Sequence, residues 1–198
     1  MNFKGLKWMM YAGILLLTVF TACKKDPIKF NFQKDTANYF SFKNNSQWIY
    51  QNTNNASQFD TVLGSAAATG FADRDEGRVE ISSITLTGTS SYLMVIRAEA
   101  VTNQGVDRIA VLTNFNNVFY PNPVILNIGG NMTVEDKDSI KLLTDLTVGS
   151  VTYQNVFEVS LNAHPVYKKL WFAPNVGIIK KKLLDDAIFD LTSYTPGS

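Results

Sequence analysis

The sequence predicts a mainly β protein: a curved antiparallel sheet, half-barrel or barrel-like meander, with at most one or two short helices. Three observations predict it. Apolar residues recur with a period of two along most of the chain, the spacing that puts alternate side chains on one face of a strand. Clusters of turn-forming residues punctuate the pattern: Asp73-Arg74-Asp75-Glu76-Gly77, Thr87-Gly88-Thr89, Asn103-Gln104-Gly105, Asn116-Asn117, Gly129-Gly130-Asn131, Gly149-Ser150, Pro174-Asn175 and Asp185-Asp186. They fall about 10 to 25 residues apart, which suits a meander. Finally, one strand changes phase. Val79 and Ile81 share one parity, whereas Ile84 and Leu86 share the other. A β-bulge at Ser82-Ser83 would re-aim the later residues inward, and two short strands with a bend would do the same; either curves the strand, as a barrel or half-barrel requires.

The elements follow in order. Residues 24–37 are polar, with Pro27 early, and read as a tether on which Phe30 and Phe32 are the residues able to dock on a domain. Residues 43–60 are rich in Asn and Gln, yet Trp48-Ile49-Tyr50 is a strand core. Tyr92, Met94, Ile96, Ala98 and Ala100 share a face opposite Arg97 and Glu99. Ile109, Val111 and Phe115 alternate around Thr113, and Val124, Leu126 and Ile128 follow the break at Pro121 and Pro123. Asp138 to Leu146 reads either as a short helix capped by Asp138 or Ser139, or as another strand. Val151, Tyr153, Phe157, Val159 and Leu161 define the clearest strand face, with Gln154, Glu158 and Ser160 behind it. Leu170 and Phe172, Ile178-Ile179, and Phe189 and Leu191 continue the pattern. No Pro/Gly-rich linker divides the chain, which predicts a single domain over residues 38–195.

The 198 residues carry a net charge of +1, 18% charged and 45% hydrophobic residues, and a single cysteine. One cysteine excludes an internal disulfide scaffold. The aromatic content excludes a wholly disordered chain, and the even charge balance gives no basis for nucleic-acid binding.

The opening residues have the anatomy of an export signal: Lys4 and Lys7, then an apolar or small-residue run from Trp8 to Phe20, too short for the roughly 20 residues that span a bilayer. Phe20-Thr21-Ala22-Cys23 resembles the lipobox of bacterial lipoproteins, with Phe20 in place of the usual leucine. The resemblance implies that residues 1–22 are a signal peptide and that Cys23 is acylated and becomes the new N-terminus. Each buried methylene contributes about 0.8 kcal/mol, so two or three acyl chains make a stable anchor. Without Lys4 and Lys7 the chain keeps 16 basic and 17 acidic residues and no polybasic patch. Aspartate does not follow the cysteine directly, and the charged run Lys24-Lys25-Asp26 resembles the export signal of Bacteroidota-type lipoproteins. The expected place is therefore the outer membrane, on its periplasmic face or the cell surface. Asp35-Thr36-Ala37, Asp60-Thr61-Val62 and Asp138-Ser139-Ile140 resemble the O-glycosylation motif of the same bacteria, and equally fit solvated turns or caps.

A second resemblance spans both ends of the domain. Tyr39-Phe40-Ser41-Phe42-Lys43-Asn44-Asn45-Ser46-Gln47-Trp48-Ile49-Tyr50 resembles the YFPLKVGNxWxY opening of a group of uncharacterised bacterial lipoproteins. Residues 148–156 resemble its VGGxxYxNV segment, Trp171 to Lys180 its YYAKGVGLVK segment, and Leu191 to Tyr194 its ELVSY close. Ser41, Asn44 and Asn45 depart from the pattern, and residues 55–145 carry no match. The family pattern is similar to domains with a LolA/LolB-like half-barrel that can bind lipid, so the resemblance implies a fold more than an activity.

Catalytic chemistry has little to work with. His164 is the single histidine, reads as a surface turn residue, and leaves no basis for a zinc site. Glu135, Asp136 and Asp138 lack calcium-loop spacing. No cofactor or metal is expected. Lys168-Lys169 and Lys180-Lys181-Lys182 would form a basic neighbourhood if their strands pair, facing anionic head groups or guarding a strand edge. The expected role is a membrane-anchored, non-enzymatic protein binding an apolar or lipid-like ligand on the concave sheet, lined by Tyr153, Phe157, Trp171 and Phe172. The alternative is a structural or interaction protein with a filled core and an envelope protein as partner.

Overall fold

The structure, a computed structural model, describes residues 28–32, 38–40, 42–75, 77–89, 92–100, 107–115, 118–119, 124–128, 139–161 and 164–198. For residues 92–93, 107–115, 118–119, 124–128 and 139, only backbone placement is described. The expected signal peptide, Cys23, Asp35-Thr36-Ala37 and the Glu135-Asp136-Asp138 group lie outside the described residues.

Among the described residues, thirteen strands form one curled sheet, β1 (Lys29–Phe30), β2 (Gln47–Asn52), β3 (Asn55–Arg74), β4 (Gly77–Gly88), β5 (Tyr92–Ala100), β6 (Asp107–Phe115), β7 (Val118–Phe119), β8 (Val124–Ile128), β9 (Ser139–Val148), β10 (Val151–Ser160), β11 (Tyr167–Ala173), β12 (Gly177–Leu183) and β13 (Ile188–Thr195). The order is β7-β6-β5-β4-β3-β2-β13-β12-β11-β10-β9, with β8 against β6 and β1 parallel to β4. Two antiparallel meanders thus meet at a seam where β13 pairs with β2. Among the described residues, helix is confined to a single turn at 38–40. The mainly β, half-barrel architecture matches the periodicity of two.

Of the segment Asp138 to Leu146, the described residues 139–146 resolve as strand. Ile140 to Val148 pair residue by residue with β10, and Ile140, Leu143 and Leu146 pack against the core as strand residues. Isolated helices of this length are marginal, so a partner strand decides the outcome. Within the segment expected as tether, Lys29 and Phe30 form β1, and Phe32 packs on the core.

The curl comes from bulges, though the predicted one is displaced. β4 pairs without interruption to β5 from Ile81 to Thr87, and to β3 from Gly77 to Ser83. The extra residue sits on β3, at Ala66-Ala67, where Ala66 has φ 50°. The Asn44 side-chain carbonyl accepts the Ala67 N–H at 2.6 Å. The phase change in β4 marks a change of cover. Ser82, Ile84 and Leu86 face the main core, whereas Val79 is buried outside that cluster, where β1 lies opposite it. Further irregularities fall opposite Tyr167/Lys169, Trp171/Phe172 and Leu191/Ser193. Each adds local twist, which closes a sheet toward a barrel.

The concave face is filled largely by the segment that enters the sheet. Phe40 stands 5.5 Å from Phe172, and Tyr39 stands 4.5 Å from Phe157. Phe42 meets Trp48 edge-on at 5.5 Å, and Trp48 stacks on Tyr194 at 5.4 Å. The β11–β12 turn is shaped to receive this segment. Asn175 adopts φ 62° and Gly177 φ 85°, and a Cβ on Gly177 would stand 2.5 Å from the Phe42 ring. Only glycine combines that backbone with that approach. Trp48 Nε1–H donates to the Val176 carbonyl at 2.6 Å, the Tyr50 hydroxyl to that of Ile178 at 2.8 Å, and Asn175 N–H to that of Asn38 at 2.6 Å. The Tyr39 hydroxyl donates to the Asn155 carbonyl. Residues 39–50, 155–156, 171–180 and 191–194, far apart in sequence, therefore form one packing unit.

Candidate functional site

The four residues expected to line a ligand do not share one surface. Phe157 and Phe172 are cross-strand partners on the concave side, and Phe172 is fully buried beneath Phe40. Trp171 is adjacent to Phe172 in the strand and points the other way. Its cross-strand neighbours are Glu158 and Lys180. Its indole N–H donates to Glu158 at 3.0 Å, and the Lys169 and Lys180 ammonium groups lie 5.9 and 5.8 Å from its ring centroid. Lys169 and Lys180 also pair with Glu158 at 2.7 Å and Asp190 at 3.1 Å. Burial pushes the Glu158 carboxyl up, but the hydrogen bonds from Lys169 and Trp171 and the charges of Lys169 and Lys141 hold it below its ordinary range. Trp171 is thus an anchor of the convex side under lysine stems. Tyr153 is half-buried, and burial raises its hydroxyl pKa.

Where the concave face is left uncovered, a half-open cleft of about 390 Å³ remains, lined by Asn38, Tyr39, Leu142, Asn155, Phe157 and Pro174. Phe157 is the expected lining residue that borders it. Tyr39, Leu142 and Pro174 supply the rest of its apolar wall, and Leu142 is 49% exposed on β9. Asn38 and Asn155 supply polar groups. Sequence reading missed Tyr39 and Leu142 as wall residues, because Tyr39 reaches β10 only through tertiary packing and Leu142 sat in the ambiguous segment.

The lysine run does not guard an edge, because β11 and β12 are interior strands of the sheet. Instead Lys180 and Lys182 pair outward with Asp190 and Asp186, while Lys181 turns inward and is 3% exposed. Its ammonium pairs with Asp60, also buried, and lies 4.1 Å from the Tyr50 ring and 5.4 Å from that of Phe189. The Thr89 hydroxyl donates to the other Asp60 oxygen at 2.9 Å. Burial lowers the Lys181 pKa, and the charge of Asp60 and its hydrogen bond work against that. Burial, with the neighbouring Tyr167, Asp60 and Tyr153, raises that of Tyr50. Asp60 is therefore neither a solvated turn nor a cap: it lies in β3 opposite Tyr50.

His164 is buried rather than a surface turn residue. Its Nδ1 accepts the backbone N–H groups of Val166 at 3.2 Å and Tyr167 at 3.1 Å, and its ring lies 5.2 Å from that of Tyr167. It secures the start of β11, and burial lowers its pKa from 6.5 to about 4. The unfolded chain therefore takes up the proton first. The contribution is complete above pH 6.5 and lost as pH falls toward 4, a total of ~3 kcal/mol. Urea unfolding of wild type and His164→Asn at pH 7 and pH 4.5 measures it: the stability gap between the two should shrink at the lower pH. A gap independent of pH would contradict this role.

Among the described residues, no three His, Cys, Asp or Glu side chains cluster to hold a metal, and no helix is long and apolar enough to cross a membrane. No protein-family model, curated protein or solved structure matches the chain.

Proposed function

We propose that the protein is a non-catalytic envelope lipoprotein, held in the outer membrane by acylated Cys23, whose half-barrel binds an apolar or lipid-like ligand in the cleft beside Phe157. The observation that carries the binding reading is that cleft. The chain's own aromatics fill the concave face up to Tyr39 and Phe157 and then stop, leaving a cleft in which Tyr39, Leu142, Phe157 and Pro174 stand beside Asn38 and Asn155. Its volume falls in the range of about 300 to 1,000 Å³ usual for small-ligand sites. The lipobox-like residues and the likeness to lipoproteins with lipid-binding half-barrels support the same reading.

A second reading, an interaction protein with a filled core and an envelope protein as partner, draws support from the packed interior around Phe40, Phe172 and the Lys181–Asp60 pair. Native mass spectrometry of the domain purified from the periplasm separates the two. The ligand reading expects a bound lipid-sized adduct that Leu142→Asp removes, since an apolar ligand seated in the cleft would bury the new carboxylate without a partner. A clean protein mass in both, with a co-purifying envelope protein, would favour the second.

A further inference from the structure

β1 and the tip of the β3–β4 hairpin end in one cluster, a short stretch of chain from Cys23. Gly77 opens β4 at φ 149°, and a Cβ there would stand 2.4 Å from the Ile28 carbonyl and 3.0 Å from the Phe30 ring. The missing side chain lets β1 lie flat, with Lys29 opposite Arg78 and Phe30 opposite Val79. Arg78 N–H donates to the Ile28 carbonyl at 2.8 Å, and Phe32 N–H to the Glu80 carboxylate at 2.9 Å. Residues 28–32 are therefore fastened to the hairpin.

The surface at this tip is amphipathic. Ile28 is 65% and Phe71 38% exposed. The Lys29 ammonium and the Arg78 guanidinium each lie 5.8 Å from the Phe71 ring centroid. Of the carboxylates near the tip, Asp73 pairs with Arg78 at 3.1 Å and Glu99 with Arg74 at 2.6 Å, Glu80 accepts the Phe32 N–H, and Asp75 is exposed in the turn. Exposed apolar groups flanked by long cationic side chains suit a lipid–water boundary, where the apolar parts enter the acyl region and the cations reach up to the phosphates. Geometry supplies the occupant. Cys23 precedes Ile28 by five residues, so a fully extended chain between them reaches about 18 Å. β3 has 20 residues, up to about 65 Å if straight. Its other end lies by the β12–β13 turn, where Thr53 N–H bonds the Ile188 carbonyl at 2.9 Å.

We propose that the β3–β4 tip, through Ile28 and Phe71, docks on the bilayer that holds Cys23, so that the domain stands tip-down on the membrane. The proposal rests on acylation of Cys23, and the test separates the two. Full-length lipidated protein carrying Phe71→Cys, Ile28→Cys or Leu184→Cys is labelled with an environment-sensitive fluorophore at the new thiol, because an acylated Cys23 does not react. Each is placed in vesicles of phosphatidylethanolamine and phosphatidylglycerol containing a lipid quencher near the head groups. Quenching at positions 71 and 28 should exceed that at 184 several-fold. Equal quenching at all three sites, or the strongest at 184, in protein that floats with the vesicles and carries the acyl mass on Cys23 overturns the docking and leaves the anchor intact. Protein that neither floats nor carries that mass overturns the anchor, and the docking with it.

Discussion

Lys181→Met is expected to destabilise the domain by about 3–5 kcal/mol, because it leaves the Asp60 carboxylate buried without its cation. Lys181 has no route to solvent by rotation, since it sits on the concave side between Leu170 of β11 and Phe189 of β13 in the strand pairing. Asp60→Leu should cost a similar amount for the converse reason. The double variant, Asp60→Leu with Lys181→Met, should recover most of the loss. It removes both desolvation costs and leaves two apolar side chains in an apolar setting. Chemical denaturation of the four species closes a double-mutant cycle. Additive losses in the double variant would mean that the two groups contribute independently, and that the pair does not hold the β3 side of the sheet to the β12 side.

Cys23→Ala is expected to abolish membrane attachment altogether. Palmitate labelling should disappear, the precursor should escape the lipoprotein signal peptidase, and the protein should leave the membrane fraction. The size of the effect follows from the anchor. Under the proposed anchor, two or three acyl chains at about 0.8 kcal/mol per methylene would leave a negligible free population, and a near-neutral net charge offers no substitute. Labelling retained in the variant would remove the lipoprotein reading.

The half-barrel was legible because most of its strands keep one face apolar over many residues. Met94, Ile96, Ala98 and Ala100 are all buried as their parity demands, and so are Phe157, Val159 and Leu161. The second half of β3 was not legible. Residues 64–70 are Gly, Ala, Ser and Thr, with no alternation to read, and become strand only because β4 pairs with them. The inward turn of Lys181 was hidden for a related reason. In Lys180-Lys181-Lys182 local composition is uniform, and only register decides which ammonium is buried. The cleft was half legible. Phe157 was found by its strand face, whereas Trp171 stood out as a large aromatic although its strand parity turns it toward the opposite side from Phe172.

The joining of β13 to β2 sets the timing of assembly. The two halves of the sheet are stitched by β13, which pairs with residues 137 to 148 positions earlier, such as Leu191 with Tyr50. Loop closure over that separation comes late, and a topology of such distant partners folds slowly. A chain emerging from its ribosome cannot complete this sheet until β13 is free to reach β2. If the chain is exported as proposed, that delay would favour threading through a translocation pore before the sheet closes.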